Sequence, residues 1–364
     1  MSWLVFAISA IVYWVTMEKS ASVWDCPEFI TTFHKLEVGH PPGAPFYMLA
    51  YNAFAELFPA HGDWIAIAGN ALSGLLSGLT ILLLFRTISH LIRRSFILRT
   101  ASWREEAEIP ADYAWIALGS ALVGSLTYAF TDTFWYSAVE SEVYAFSSFF
   151  TALVFYLILK WEETRNPIKE DRWLLLTAYL MGLSVGVHLL NLLAIPAMAL
   201  VYYFKRTEKA TWKGGVVATL LSFVLVAVIL FGIIPGVPEV AGYFDLFFVN
   251  TLGLSYNSGL ICYVLVLALV MGLTVYASMR RPVPMTLLRV GFLSTCILLG
   301  IPFMGSGWIV PIIVIAALVW YLWYSKRTDA HRLAHLTMAM GLLFAGISTY
   351  GVILVRANSD IPMN

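Results

Sequence analysis

Apolar residues fall in long runs, separated by short clusters of charged and helix-breaking residues. A membrane span needs about 20 mostly apolar residues, with a working range of about 17 to 25. Eleven such windows can be drawn, near 2–17, 64–85, 113–131, 142–160, 173–188, 190–204, 214–234, 258–279, 284–303, 308–324 and 334–355. Only the short His188–Asn191 stretch, with Pro196 beyond it, marks a turn between the fifth and sixth. The first window is short, but Trp3 and Trp14 suit the two interfaces. No basic residue precedes its apolar run and no A-x-A-like site follows, so it reads as a retained first helix and not a signal peptide. The pattern predicts an all-α polytopic transmembrane bundle of about 11 spans, a single membrane-embedded domain over residues 1–364.

Composition narrows the class further. Of 364 residues, 60% are hydrophobic and 12% charged, against roughly 25% charged in soluble domains. Mean hydropathy is +0.80. A soluble enzyme and a disordered or fibrous chain are excluded. The formal net charge of zero gives no sign of a nucleic-acid partner. Cys26, Cys262 and Cys296 are far apart, and supply neither a disulfide framework nor a metal-ligand spacing.

The basic residues orient the spans. Nineteen of the 22 fall in one alternating set of loops, including Arg86, Arg93 and Arg94, Lys160 and Arg165, Lys205 to Lys213, Arg280 to Arg289, and Lys326 to Arg332. The opposite loops hold only Lys19, Lys35 and Arg356. The positive-inside rule makes the first set cytoplasmic, with the amino terminus inside and the carboxyl terminus outside. Within the inner loops, the run Arg104-Glu105-Glu106-Ala107-Glu108 reads as a solvated surface.

Candidate chemistry collects outside. The longest outer loop, about residues 18–63, carries Glu18, Asp25, Glu28, Glu37, Glu56 and Asp63 with His34, His40 and His61. Phe29, Ile30, Phe33 and Leu36 recur at helical spacing after Pro27, so this stretch predicts a short amphipathic helix in the interface plane. Asp25 stands three residues before Glu28, as in a capping box, with Pro27 in the first turn. The same carboxylate, held at a membrane surface, is a candidate general base. Gly39-His40-Pro41-Pro42-Gly43-Ala44-Pro45 predicts a stiff elbow without helix. A second short amphipathic piece, Phe46 to Phe58, follows it.

Two other outer turns carry polar groups. Glu140 and Glu142, before Tyr144, would stand about 200° apart on a helix, so that only one could face a given pocket. His188 and Asn191 share a face if their turn stays helical. Polar groups at that depth are costly, and are expected to face the bundle or a cavity.

These residues carry a family resemblance. Thr16-Met17-Glu18 through Trp24-Asp25-Cys26-Pro27-Glu28-Phe29, with Lys35-Leu36-Glu37-Val38-Gly39-His40-Pro41-Pro42-Gly43-Ala44-Pro45, closely resembles the DUF2723 family. So do Ala138 to Phe146, Gly186 to Asn191, and Tyr350 to Arg356. That family belongs to the GT-C type of integral-membrane glycosyltransferases, with large bacterial members and a eukaryotic protein O-mannosyltransferase. The resemblance implies a bacterial inner-membrane enzyme with its site facing the periplasm, a polyprenyl-phosphate-linked sugar donor and a protein hydroxyl as acceptor. It implies an acid of the first outer loop as catalyst, a position matched by Asp25 with Glu28 beside it. The remaining motif residues, Trp24, Lys35, His40, Pro41, Pro42, Gly43, Glu140, Glu142, Tyr144, His188, Asn191 and Arg356, are then expected to bind substrate. His40, His188, Lys35 and Arg356 are the outer-side candidates to stabilise the leaving phosphate. The resemblance implies no particular cofactor. The loop acids could coordinate a divalent metal, though no ligand spacing compels it. Larger members continue into a soluble outer region after the last span, whereas this chain stops at Asn364, so part of acceptor recognition is expected to be missing.

Two other classes compete. A flippase for lipid-linked sugars should carry mid-span ionisable residues or paired broken helices, and no internal repeat is apparent. A non-catalytic subunit of a glycosylation assembly is the third reading. In the glycosyltransferase reading, Asp25, His40, Glu140 or Glu142, and His188 line one cavity open toward lipid. The basic skew itself is testable. Cysteines placed at Asp25 and Glu140 should react with an impermeant thiol reagent from outside, and cysteines at Arg94 and Lys209 should not; outside modification at Arg94 would overturn the orientation.

Overall fold

A computed structural model describes residues 1–59, 61–100, 109–305, 307–325 and 328–357. The Arg104–Glu108 run and Lys326 and Arg327 lie outside the described residues. The described residues are mostly helical, with no strand among them. In chain order the α-helices are α1 (Ser2–Thr16), α2 (Cys26–Lys35), α3 (Pro45–Ala55), α4 (Trp64–Thr100), α5 (Ala111–Ala129), α6 (Asp132–Val139), α7 (Val143–Glu163), α8 (Pro167–Val185) and α9 (Ala194–Arg206). They continue as α10 (Trp212–Ala227), α11 (Ile234–Asn250), α12 (Ser258–Met279), α13 (Met285–Leu298), α14 (Ile309–Tyr324), α15 (Ala330–Ile347) and α16 (Gly351–Ala357).

Every predicted window contains helix, but their lengths differ from the expectation. Six segments are long and apolar enough to cross a membrane, Trp64–Ile97, Val143–Glu163, Leu189–Arg206, Trp212–Asn250, Ser258–Met279 and Ala330–Arg356. A seventh results if α5 and α6, bent by 67° at their junction, form one broken span. The chain is thus an integral membrane protein. The helices α1, α13 and α14 are shorter, and α8 carries Lys169, Glu170, Asp171 and Arg172 in its first turns. The window near 214–234 extends instead through a π-helical turn, Val228–Ile233, and on to Asn250. Pro235 and Pro238, which have no N–H to donate, follow directly after this turn.

The chain forms two compact units. In the second, Ile195–Ala345, the helices α11, α12 and α13 pack in series. Tyr263 and Leu267 fill one apolar cluster with Val240 and Leu299, and Leu288, Phe292 and Leu322 fill another. Many of its apolar side chains are exposed, among them Leu220, Phe231, Leu265 and Ile312.

The first unit, Met1–Ala194 with Gly346–Asn364, contains the motifs. Here α4 is the axis, packed on α1, α5 and α7. The Tyr13 hydroxyl donates to the Ala129 carbonyl (2.8 Å) and the Trp14 indole to that of Ala71 (2.9 Å), fixing α1 against its neighbours. The two ends of this unit gather different residues. At one end, Arg86 of α4 donates to the Ser2 hydroxyl, and His90 and Arg94 pair with Glu163 and Glu162 of α7. At the other, Asn70 of α4 donates to the carbonyls of Glu18 (2.8 Å) and Ser20 (3.2 Å) and accepts from Ser141 (2.6 Å).

The short helices of the 18–63 connection bury apolar side chains in protein. Phe29 and Phe33 of α2 and Tyr47, Met48 and Tyr51 of α3 enter one protein core with Val143, Phe146 and Phe150. Their apolar faces are covered by protein because α2 and α3 fold back on each other and on α4. The Asn70 node makes a stability prediction. Replacing it by Ala removes the donor from two part-buried carbonyls and leaves the buried Ser141 hydroxyl without its acceptor, so Asn70→Ala should cost about 1–3 kcal/mol, read as a lowered melting midpoint in detergent.

Candidate active site

The helix α2 starts at Cys26 with Pro27 in its first turn, where a residue lacking N–H is best tolerated. Asp25 occupies the cap position but does not cap. Its backbone is helical (φ −81°, ψ −15°) and its side chain makes no capping bond, whereas a capping carboxylate needs extended backbone to reach the N–H groups ahead of it. The capping-box reading is therefore corrected. Trp24 before it is 88% exposed and holds φ +79°, a left-handed conformation unusual for a bulky residue.

Glu28, released from any box, reaches across the elbow. The His40 backbone N–H donates to Glu28 Oε1 (2.6 Å) and His40 Nδ1 lies 3.1 Å from Oε2. Partial burial works to raise the Glu28 pKa, but the backbone and ring bonds from His40 outweigh it and hold the carboxyl below its ordinary value. The glycines make this approach possible. A Cβ on Gly39 would stand 3.1 Å from Glu28 Oε1, and Gly43 sits at φ +88° against Ile353. The Gly43 N–H donates to the His40 carbonyl (2.8 Å), closing the turn that contains Pro41 and Pro42. Beyond the elbow, the first N–H groups of α3, on Phe46 and Tyr47, donate to the carbonyl of Gly186 (2.8 and 3.2 Å). This anchors the elbow to the turn after α8.

The acids of the α6–α7 turn join the same cluster. Glu140 and Glu142 both have extended backbone between the two helices, so the 200° helical separation does not apply. The Ser22 hydroxyl donates to Glu140. Glu142 is 6% exposed. Burial pushes its pKa to about 7, with repulsion from Glu140 and Asp25 adding to the rise, while the Val143 N–H and His40 oppose it. Asp25, Glu28 and His40 each offer a ligating atom within 4.8 Å of the others. Two carboxylates and an imidazole at that spacing suit a divalent cation, although His40 and Glu28 already satisfy each other.

The remaining predicted residues have other partners. His188 has extended backbone and its Nδ1 accepts from the Leu190 N–H (3.2 Å), so it caps a short 3₁₀ turn instead of sharing a helix face with Asn191. Its ring lies 5.5 Å from that of Tyr144, and burial lowers its pKa. Asn191 is a satisfied core amide, accepting from Ser147 (2.7 Å) and Thr151 (2.8 Å). Lys35 reaches Glu37 at 3.9 Å in an exposed pair. Arg356 lies one turn beyond Ile353 on α16, the helix that abuts Gly43. The sequence reading missed Ser22, which holds Glu140, and Asn70, which holds the loop. Asn70 had a signal, a polar residue within an apolar run; Ser22 had none.

Residues 25–211, just over half of the chain, match the family model of the protein O-mannosyl-transferase TMEM260 N-terminal domain, and the chain belongs to that family. The match opens at Asp25 and includes every predicted site residue except Trp24 and Arg356. Among curated relatives, the mouse protein O-mannosyl-transferase TMEM260 is 26% identical over 181 residues, 50% of this chain and 22% of its own. The Dictyostelium discoideum protein of the same name is 21% identical over 236 residues, 61% of this chain and 26% of its own. The chain therefore spans about a quarter of the length of these relatives. No solved structure matches it.

The buried Glu142 predicts a pH dependence. Its folded pKa of about 7 lies above the ordinary 4.5, so the folded state binds the proton more tightly. That contribution is full below about 4.5, falls as pH rises through 7, and amounts to at most about 3 kcal/mol. Melting midpoints between pH 5 and 8 should fall for the wild type and fall less for Glu142→Gln.

Proposed function

We propose that this chain, as a member of the O-mannosyl-transferase family just described, carries the catalytic acid of a GT-C type membrane glycosyltransferase. In this reading it moves a sugar from a polyprenyl-phosphate carrier to a Ser or Thr hydroxyl of a protein on the outer face of the membrane. The observation that carries it is the gathering of Asp25, Glu28, His40, Glu140 and Glu142 at the start of α2. A lipid-linked donor presents its head group where short helices and an acidic loop meet the bilayer surface.

Transfer to a hydroxyl needs a base for the acceptor and stabilisation of the departing phosphate. Asp25 accepts the hydroxyl proton as that oxygen bonds to the anomeric carbon. The bond from that carbon to the carrier phosphate breaks on the opposite side, and configuration inverts in one displacement. The Asp25 carboxylate is suited to this because it is not engaged as a helix cap. Glu28 is the positioning group that fixes His40. His40, with His188, Lys35 and Arg356, supplies the outer-side donors from which the phosphate is stabilised. A protonated Glu142 limits the negative charge around Asp25, which keeps the site able to accept an anionic donor.

The test is Asp25→Asn, which keeps the side chain's size and removes its basicity. Sugar transfer from a defined polyprenyl-phosphate donor to an acceptor protein should fall about 10²–10⁴-fold with the melting midpoint unchanged. Turnover like the wild type would remove Asp25 from the mechanism.

A further inference from the structure

A cavity of about 1100 Å³ opens at the other end of the first unit from the acidic cluster. The helix α7 measures the separation. Glu142 precedes it, Lys160 to Glu163 end it, and its 21 residues span about 30 Å, roughly the hydrocarbon thickness of a bilayer. Nothing in the transfer chemistry above uses this cavity.

Its lining is strongly basic. Arg86, Arg93, Arg94, Lys160, Arg165 and His90 face it, against two acids, Glu162 and Glu163. Both acids are already neutralised. Glu162 pairs with Arg94 at 2.7 Å, and Glu163 with His90 at 2.9 Å and Lys160 at 2.8 Å. Arg86 and Arg93 are left with no acidic partner among the described residues. Ser89 Oγ, buried at the wall, has no hydrogen-bond partner among the described residues. The cavity also has an apolar side, formed by Phe85, Ile109, Ala117 and Leu118. Surplus guanidinium groups, an unused hydroxyl donor and an apolar wall match a phosphate that carries a hydrocarbon tail.

We propose that this cavity is a second ligand site, one that binds a phosphate-bearing ligand. Arg86 and Arg93 hold the phosphate, Ser89 donates to it, and the Phe85–Leu118 wall takes the tail when the ligand is a lipid. Arg86 is preset for this by its hydrogen bond to Ser2 and its position over the Trp3 ring. The same chemistry could arrive as a membrane phospholipid or as free phosphate, and the experiment separates them.

The full chain, purified in detergent, is titrated with dioleoylphosphatidylglycerol, with dioleoylphosphatidylcholine and with inorganic phosphate, reading retained ligand by native mass spectrometry and the melting midpoint. Preference for phosphatidylglycerol over phosphatidylcholine assigns a lipid phosphate. Stabilisation by inorganic phosphate without that preference assigns the free ion. In either case Arg93→Gln should weaken binding about 5-fold and Arg86→Gln with Arg93→Gln about 25-fold, while Lys213→Gln, outside the lining, changes nothing. Arg93 is exposed, so its variant should melt like the wild type without ligand. Retention of every ligand by both Arg variants at wild-type affinity, or no discrimination among lipids together with no effect of phosphate, would overturn the proposal.

Discussion

The arrangement of the first unit depends on one buried amide. Backbone groups within an apolar bundle must find partners inside the protein, because lipid offers none. The chain leaving α1 is not helical from Met17 onward, so its carbonyls need donors. Asn70 supplies two, to Glu18 and Ser20, and takes the Ser141 hydroxyl on its own carbonyl oxygen. The Glu18 N–H is satisfied in turn by the Val139 carbonyl. Three segments far apart in sequence thereby meet at one point, and Ser22, Asp25 and Glu140 are brought together as a consequence. The acid cluster is thus built by hydrogen bonding to a transmembrane helix, not by the loop alone.

Four carboxyl groups so close to one another would repel if all were charged. The structure handles each differently. Glu28 gains two hydrogen bonds from His40, and Glu140 gains the Ser22 hydroxyl. Glu142 is buried, and burial beside Asp25 and Glu140 favours its protonated form. Asp25 keeps a carboxylate engaged neither in a cap nor in the His40 pair. Different partners for each neighbour single out one acid, the general way environments divide roles between like groups.

Much of this was legible in the sequence, and the failures have identifiable causes. Apolar windows located the helices because a hydrophobic run reports burial in any apolar medium. They could not separate lipid from protein interior. The helix α4 is mostly buried in protein, whereas Trp212–Asn250 is more apolar and mostly exposed. For the same reason the pattern did not show that the apolar faces of α2 and α3 meet Phe146 and Phe150. The elbow was legible because prolines and glycines dictate backbone directly. The capping box was not, since spacing says nothing of whether the cap residue's backbone is extended. Glu140 and Glu142 were misread for a related reason. Their helical angle presumes a continuous helix, and the chain breaks between Val139 and Val143.

The two ends of the first unit show what a bundle gains from rigid transmembrane helices. The same helices, α4 and α7, contribute Asn70 and the Glu142 turn at one end and Arg86, His90, Lys160 and Glu163 at the other. Acid accumulates at one end and base at the other, because each end holds its charge with different partners. Acids survive in proximity only when hydrogen bonds or burial relieve them. Guanidinium groups cannot lose their charge in this way, so a basic end must be relieved by counter-charge. Glu162 and Glu163 provide part of it. Among the described residues they leave Arg86 and Arg93 without an acidic partner, which is where an added anion would be held.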